Sequence, residues 1–248
     1  AAQAAVAGRE VDARRMTEEL ERSIAALFSG PVAVAVLPVD GPHPPVLPEE
    51  ARAIARAVDK RRAEFTAGRT AARLAMQRLG LMPQSVPSAP DRSPVWPAGL
   101  TGSISHAAGV CAVVLSRHAR APLGLDIEDP APLDPELWPL VLTPAELTGL
   151  EDLPRDARGA AAKRIFGIKE AAYKAQFPLT GAVIGFQALE VTLDPDPQAE
   201  TALVHATRIG SMVPGLQELF PEQGRHCRIG GPSAATTHLL IAGITMSD

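Results

Sequence analysis

Aromatic side chains are the scarcest material in this 248-residue chain: six Phe, two Trp and one Tyr, 4% of the total. Ala, Val and Leu must fill its core instead. They suffice, since 46% of the residues are hydrophobic and the length supports one large domain or two small ones. Long apolar runs are also missing. None reaches the roughly 20 residues of a membrane span, so no stable membrane insertion is expected. Positive charge is not in surplus: 24 Lys and Arg against 28 Asp and Glu leave −4, and with it no global electrostatic reason to bind nucleic acid. Any anionic ligand must be met by a local basic cluster. Cysteine is down to Cys111 and Cys227, both in or beside apolar, strand-like text. Two buried thiols are expected rather than a disulfide or a metal site. The first residues mix Ala with Arg9, Glu10, Asp12, Arg14 and Arg15, unlike a secretory signal, so a cytoplasmic protein is expected.

What is abundant is punctuation: 24 Pro and 20 Gly divide the chain into short elements. Helices are predicted over 12–28, 49–79 and 157–177, the last ending before Pro178. A further helix starts at Thr143-Pro144-Ala145-Glu146, which has capping-box spacing and Pro at the first helical position. Strands are predicted over 31–38, 110–116, 123–128, 183–193, 201–208 and 237–245. Each half holds a helix and several strands, with the seam near 125–135 and no strict repeat at short period. The fold class expected is α+β, in two similar lobes, 1–125 and 126–248.

Three constellations could carry chemistry. In Gly124-Leu125-Asp126-Ile127-Glu128, residues two apart on a strand share a face. Asp126 and Glu128 then form a carboxylate pair that repels unless a cation sits between them. Such oxygen-only ligands suit Mg²⁺, though solvated acids before a turn would read the same. In Phe166-Gly167-Ile168-Lys169-Glu170-Ala171-Ala172-Tyr173-Lys174, Glu170 and Lys174 share a helix face. An ordinary ion pair would look alike, but the aromatics beside it point to a cleft. In Gly102-Ser103-Ile104-Ser105-His106, a loop offers hydroxyl donors and a histidine that can bind phosphate, or is a simple turn. Joined, they give the scheme of transfer at phosphorus: acids hold a metal, the metal holds a pyrophosphate, and Lys and His offset the rest. A G-x-x-x-x-G-K-[ST] loop, expected of many nucleotide phosphotransferases, is absent.

GLDIE followed by FGIKEAAYK resembles the signature pair of the phosphopantetheinyl transferase superfamily. Trp96-Pro97-Ala98-Gly99-Leu100-Thr101-Gly102-Ser103-Ile104-Ser105-His106 and the earlier run Lys60-Arg61-Arg62-Ala63-Glu64-Phe65-Thr66-Ala67-Gly68-Arg69 are similar to its siderophore branch, that of the enterobactin-synthase transferase. The likeness covers about residues 55 to 190. It implies a pseudo-two-fold fold of two lobes with coenzyme A between them. The implied reaction moves 4′-phosphopantetheine from coenzyme A to a serine of an apo acyl, peptidyl or aryl carrier protein, releasing adenosine 3′,5′-bisphosphate. The implied ligands of Mg²⁺, or of Mn²⁺ in its place, are Asp126, Glu128 and Glu170. Glu170 doubles as the base and Lys174 offsets charge. Arg61, Arg69, Ser105, His106, Lys169 and Lys174 are the implied coenzyme A contacts. Arg92 stands in the loop where relatives carry a lysine. Phe177, just past the signature, is the candidate for carrier docking, and a monomer is expected because two lobes already make the cleft. A coenzyme A-binding protein of the same fold without turnover is the alternative; the full set of acids with Lys174 argues against it.

Overall fold

In the computed structural model, residues 2–194, 196, 199–230 and 239–246 are described, with side chains from residue 14 onward. Helix α1 (Ala2–Ala25) leads into β1 (Ala33–Pro38), the short α2 (Pro48–Ala51) and α3 (Asp59–Arg78). Strands β2 (Thr101–Ala107), β3 (Val110–Ser116) and β4 (Leu123–Glu128) follow, then α4 (Trp138–Val141), α5 (Pro144–Glu151) and the long α6 (Arg155–Thr180). The chain closes with β5 (Leu189–Leu193), β6 (Thr201–Ala206), α7 (Leu216–Leu219), β7 (Arg225–Gly230) and β8 (Leu240–Thr245). Of the strand predicted over 237–245, the first two residues lie outside the described ones.

The strands form two antiparallel sheets, β1-β3-β2 and β4-β8-β7-β6-β5. This is the α+β fold read from the sequence. Helix α3 packs on the smaller sheet and α6 on the larger. Both present alanine to the sheet, Ala71, Ala72 and Ala75 from α3 and Ala171, Ala172 and Ala175 from α6, all buried. Small side chains let helix and strand approach closely, and Gly124 takes this furthest. A Cβ there would stand 1.8 Å from the carbonyl oxygen of Ala171. Only glycine lets β4 lie against the backbone of α6, which brings Asp126 and Glu128 to the helix that bears Glu170.

A third packed cluster belongs to both sheets at once. Leu20 and Ile24 of α1 meet Val34, Val36, Ala112 and Val114 of the small sheet and Leu125, Ile127 and Ile241 of the large one. Between the sheets, β2 and β4 run side by side with serine hydroxyls in place of a backbone ladder. Ser103 Oγ accepts from Leu125 N at 3.1 Å, and Ser105 Oγ from Ile127 N at 3.1 Å.

Several elements depart from the sequence reading. The predicted helix 49–79 is interrupted, because Val58 is extended (φ −71°, ψ 159°) and α3 starts afresh at Asp59. Helix α6 runs through Pro178. A proline there removes one amide donor in the last turn, and the real stop is Gly181, left-handed at φ 63°, whose N–H donates to Phe177 O at 2.8 Å. The segment 102–106 is strand, not loop. Strand β7 went unpredicted, because exposed His226 and Arg228 dilute its apolar side, Cys227 and Ile229. Strand β4 lies wholly in the larger sheet, so by sheets the chain divides in the 117–122 connection rather than after 125. Among the described residues, no helix is long and apolar enough to cross a membrane.

Candidate active site

The acids of β4 and the charged face of α6 meet where β2 crosses beside them. Asp126 is 3% exposed. Its Oδ1 accepts from Lys174 Nζ at 2.6 Å and from Ser105 Oγ at 3.1 Å. Lys174 also donates to Ser105 Oγ and to the carbonyl of Leu125, both at 3.2 Å. Asp126 Oδ2, by contrast, is buried with no partner. On the side of Oδ2, α6 presents Gly167: a Cβ there would lie 3.5 Å from Oδ2 and 4.0 Å from Glu128 Cγ. The bare glycine thus leaves room between helix and acids.

Glu128 is held by Lys163, Nζ to Oε2 at 2.8 Å, with Asp129 Oδ2 3.9 Å from the same ammonium. The sequence reading passed over Lys163, although it precedes Glu170 by two helical turns and so shares its face. Burial raises the Glu128 carboxyl, against the pull of Lys163. The Glu170 carboxylate makes no hydrogen bond or close ion pair among the described residues, and Lys174 acts on it only through space. Burial lifts its carboxyl above the usual range, Lys174 pulls it back, and Asp126 and Glu128 push it further up. It borders a pocket of about 170 Å³ lined by Tyr173, Val183, Ile184 and Phe186.

The three expected metal ligands stand close but are not drawn to a point. Among the described residues, no three His, Cys, Asp or Glu side chains form a ready-made cation site. With no cation between them the acids repel, and Lys174 and Lys163 occupy two of the three. The donor set still fits a hard divalent ion. It is all oxygen, one buried oxygen is unpartnered, and Gly167 keeps the space beside it clear.

The basic residues divide into a rim and a floor. At the rim, Arg61 Nη1 is 3.4 Å from His106 Nε2, and Glu64 Oε2 lies 3.7 Å and 3.6 Å from the two. At the floor, Arg69 is buried over the Phe65 ring, 4.1 Å from its centroid, with Nη2 donating to Ser88 Oγ at 3.0 Å. Its Nε has no partner, and burial lowers its pKa to about 10. Cys111 joins the two regions: burial pushes its thiol up to about 12, and the cations of Arg69, Arg61 and Lys174 only partly offset this.

Two of the expected coenzyme A contacts, Ser105 and Lys169, have side chains engaged inside the protein. Ser105 is buried, with its hydroxyl committed to Ile127, Asp126 and Lys174, because 102–106 is a strand whose alternate residues face inward. Lys169 points away from the acids into the lobe, onto Glu146. Arg92 sits exposed at a turn with left-handed backbone, φ 73°. Phe177 is half-buried on α6 itself, its ring 5.8 Å from that of Tyr173.

Two family models match the chain. That of the 4′-phosphopantetheinyl transferase N-terminal domain covers residues 49–116, and that of the 4′-phosphopantetheinyl transferase superfamily covers 122–213. Among curated proteins, the chain is 38% identical over 175 residues to the 4′-phosphopantetheinyl transferase Svp of Streptomyces mobaraensis, covering 66% of this chain and 68% of that one. It is 39% identical over 168 residues to PptT of Mycobacterium tuberculosis, 66% and 73% of the two chains. Enterobactin synthase component D of Escherichia coli O157:H7 is similar at 40% over 119 residues, 47% and 55% of the two.

Proposed function

Because this chain belongs to the 4′-phosphopantetheinyl transferase superfamily, we propose a division of the reaction among its residues. The enzyme moves 4′-phosphopantetheine from coenzyme A to a serine of an apo carrier protein and releases adenosine 3′,5′-bisphosphate. In the reading offered here, Glu170 takes the proton of the serine hydroxyl as that oxygen attacks the phosphorus bearing the pantetheine. The new P–O bond forms in line, the pyrophosphate bridge breaks, and its electron pair leaves on the adenosine-side phosphate. Glu170 suits this role because no hydrogen bond among the described residues holds its carboxylate and its proton affinity is raised. Lys174, fixed by Asp126, Ser105 and the Leu125 carbonyl, offsets charge on the leaving side.

Asp126, Glu128 and Glu170 would hold Mg²⁺, or Mn²⁺ in its place. When bound, the ion supplies charge neutralisation at the pyrophosphate. Arg61, Arg69 and His106 take the 3′-phosphate side. The N-terminal lobe thus grips the nucleotide end of coenzyme A and the C-terminal lobe carries the acids. The observation that carries this reading is the buried Asp126 carboxylate, clamped at Oδ1 and open at Oδ2.

The carrier serves siderophore, non-ribosomal peptide or polyketide synthesis, in keeping with a relative named for enterobactin synthase. Two buried, unpaired thiols suit a cytoplasmic enzyme, and a cleft made within one chain suits a monomer. The test is the intact mass of an apo carrier incubated with this protein, coenzyme A and Mg²⁺. A gain of one phosphopantetheine, lost with EDTA, is expected. Tight coenzyme A binding with no gain on several unrelated carriers would overturn the reading.

A further inference from the structure

Lys169, the neighbour of Glu170, is left without a part in that reaction. Its side chain is 1% exposed. Its ammonium has three donors and uses all three: Glu146 Oε2 at 2.7 Å, the Val141 carbonyl at 2.9 Å and the Phe186 carbonyl at 3.0 Å. Glu146 is equally committed. Its Oε2 accepts from Thr143 N at 2.7 Å and its Oε1 from Val191 N at 2.7 Å. One buried pair therefore ties α6 to the end of α4, the start of α5, the edge strand β5 and the pocket wall at Phe186.

The other lobe holds a counterpart. Glu50 accepts from Leu47 N at 3.0 Å, three residues before it, as Glu146 does from Thr143. Its other oxygen accepts from Val86 N at 2.9 Å, and Arg73 Nη1 lies 3.0 Å from both oxygens. Acid and cation are 23 residues apart in each lobe. Each acid begins a helix, takes its cation from the next long helix and clasps a downstream amide. By this register Leu74 occupies the place of Glu170. The lobes differ in what the cation does besides. Arg73 Nη2 has no partner, whereas Lys169 reaches two further carbonyls, one of them in the pocket wall. Holding the fold together accounts for the shared part only.

We propose that Lys169 is a positioning residue: with Glu146 it fixes the 183–188 wall beside Glu170, and so sets the geometry of proton transfer without touching coenzyme A. This rests on the reading of Glu170 as the base. A wall displaced by about 1 Å costs on the order of 100-fold in rate.

The experiment is Lys169→Met, read three ways. The kcat for carrier modification should fall at least about tenfold, with KM for coenzyme A kept within about threefold. The dissociation constant for adenosine 3′,5′-bisphosphate should stay within about twofold. Amide hydrogen exchange over 183–188 should quicken in the protein without substrates, while that over 101–107 should not. A weakened bisphosphate constant would instead make Lys169 a phosphate contact. Unchanged exchange over 183–188 would end the proposal whatever the rates. The exchange readout needs no turnover, so an inactive wild type would overturn the functional reading and leave this test standing. Should Lys169→Met fail to fold, Lys169→Arg carries the test. Arg73 shows that arginine serves such a pair, but its spread donors cannot meet three acceptors from one nitrogen. Its kcat should fall at least about fivefold with the bisphosphate constant unchanged; full kcat overturns the proposal.

Discussion

Lys174 holds only one of the two oxygens of Asp126. Nζ is 2.6 Å from Oδ1, while Oδ2 is buried and alone. Leaving a buried acceptor unmade costs on the order of 1–3 kcal/mol, more for a charged one, so the open oxygen is a feature of the site and not of the fold. Asp126→Asn keeps the shape and removes the charge. Carrier modification should fall by about 100-fold or more and stay low at raised Mg²⁺, with the circular dichroism unchanged. Recovery at high Mg²⁺ would show that the charge of Asp126 is dispensable.

Glu170 should leave its mark on pH. Burial is the main reason that its carboxyl sits above the usual range. A base works deprotonated, so kcat/KM should fall on the acid side as the carboxyl takes up its proton. Stability without metal runs the other way. As pH rises, the unfolded chain releases this proton first, so the folded state loses stability from the ordinary value up through the raised one. Glu170→Gln removes that cost. In EDTA near neutral pH its melting temperature should rise above wild type, while transfer falls by about 100-fold or more. A lower melting temperature would mean that Glu170 has a stabilising partner.

Arg69 is a buried cation without a carboxylate of its own. Its pKa of about 10 leaves it charged at neutral pH, and its Nε waits for an acceptor. Wild type should bind coenzyme A about 10- to 100-fold more tightly than 3′-dephospho-coenzyme A, and Arg69→Gln should erase the difference. Calorimetry of both ligands decides. An equal loss for both would move Arg69 away from the 3′-phosphate.

Phe177 packs at a tilt against Tyr173 and stays half-buried, one turn before the end of α6. If the carrier docks there, Phe177→Ala should raise KM for the carrier about threefold or more and spare that for coenzyme A. An unchanged carrier KM would remove Phe177 from the docking surface.

Patterns tied to neighbours in sequence were readable in advance. The capping box at Thr143 and the strand bearing Asp126 and Glu128 depend on local spacing, and both form. So does the helix face of Glu170 and Lys174. What depends on contacts between distant segments was not readable. Lys169 and Lys174 look alike in the sequence, and only the packing of α5 and β5 turns the first inward to Glu146. Ser105 reads as a phosphate donor until β4 is seen lying beside it and taking its hydroxyl. The internal likeness of the lobes was hidden for the same reason. The shared pair is Glu with Arg in one lobe and Glu with Lys in the other, on helices that share few other residues, Arg62 with Arg158 and Ala75 with Ala171 among them.

The apolar cluster that α1 builds across both sheets also bears on how the molecule comes apart. Val34 and Val114 share one interior with Leu125 and Ile241, so the cores that each half has of its own are joined by a third that neither half can open alone. Heating should give a single calorimetric peak, with activity and ellipticity lost together. Covalent continuity through the 117–122 connection contributes little beside that shared interior. A protease nick there would leave two fragments that travel as one particle and still turn over substrate.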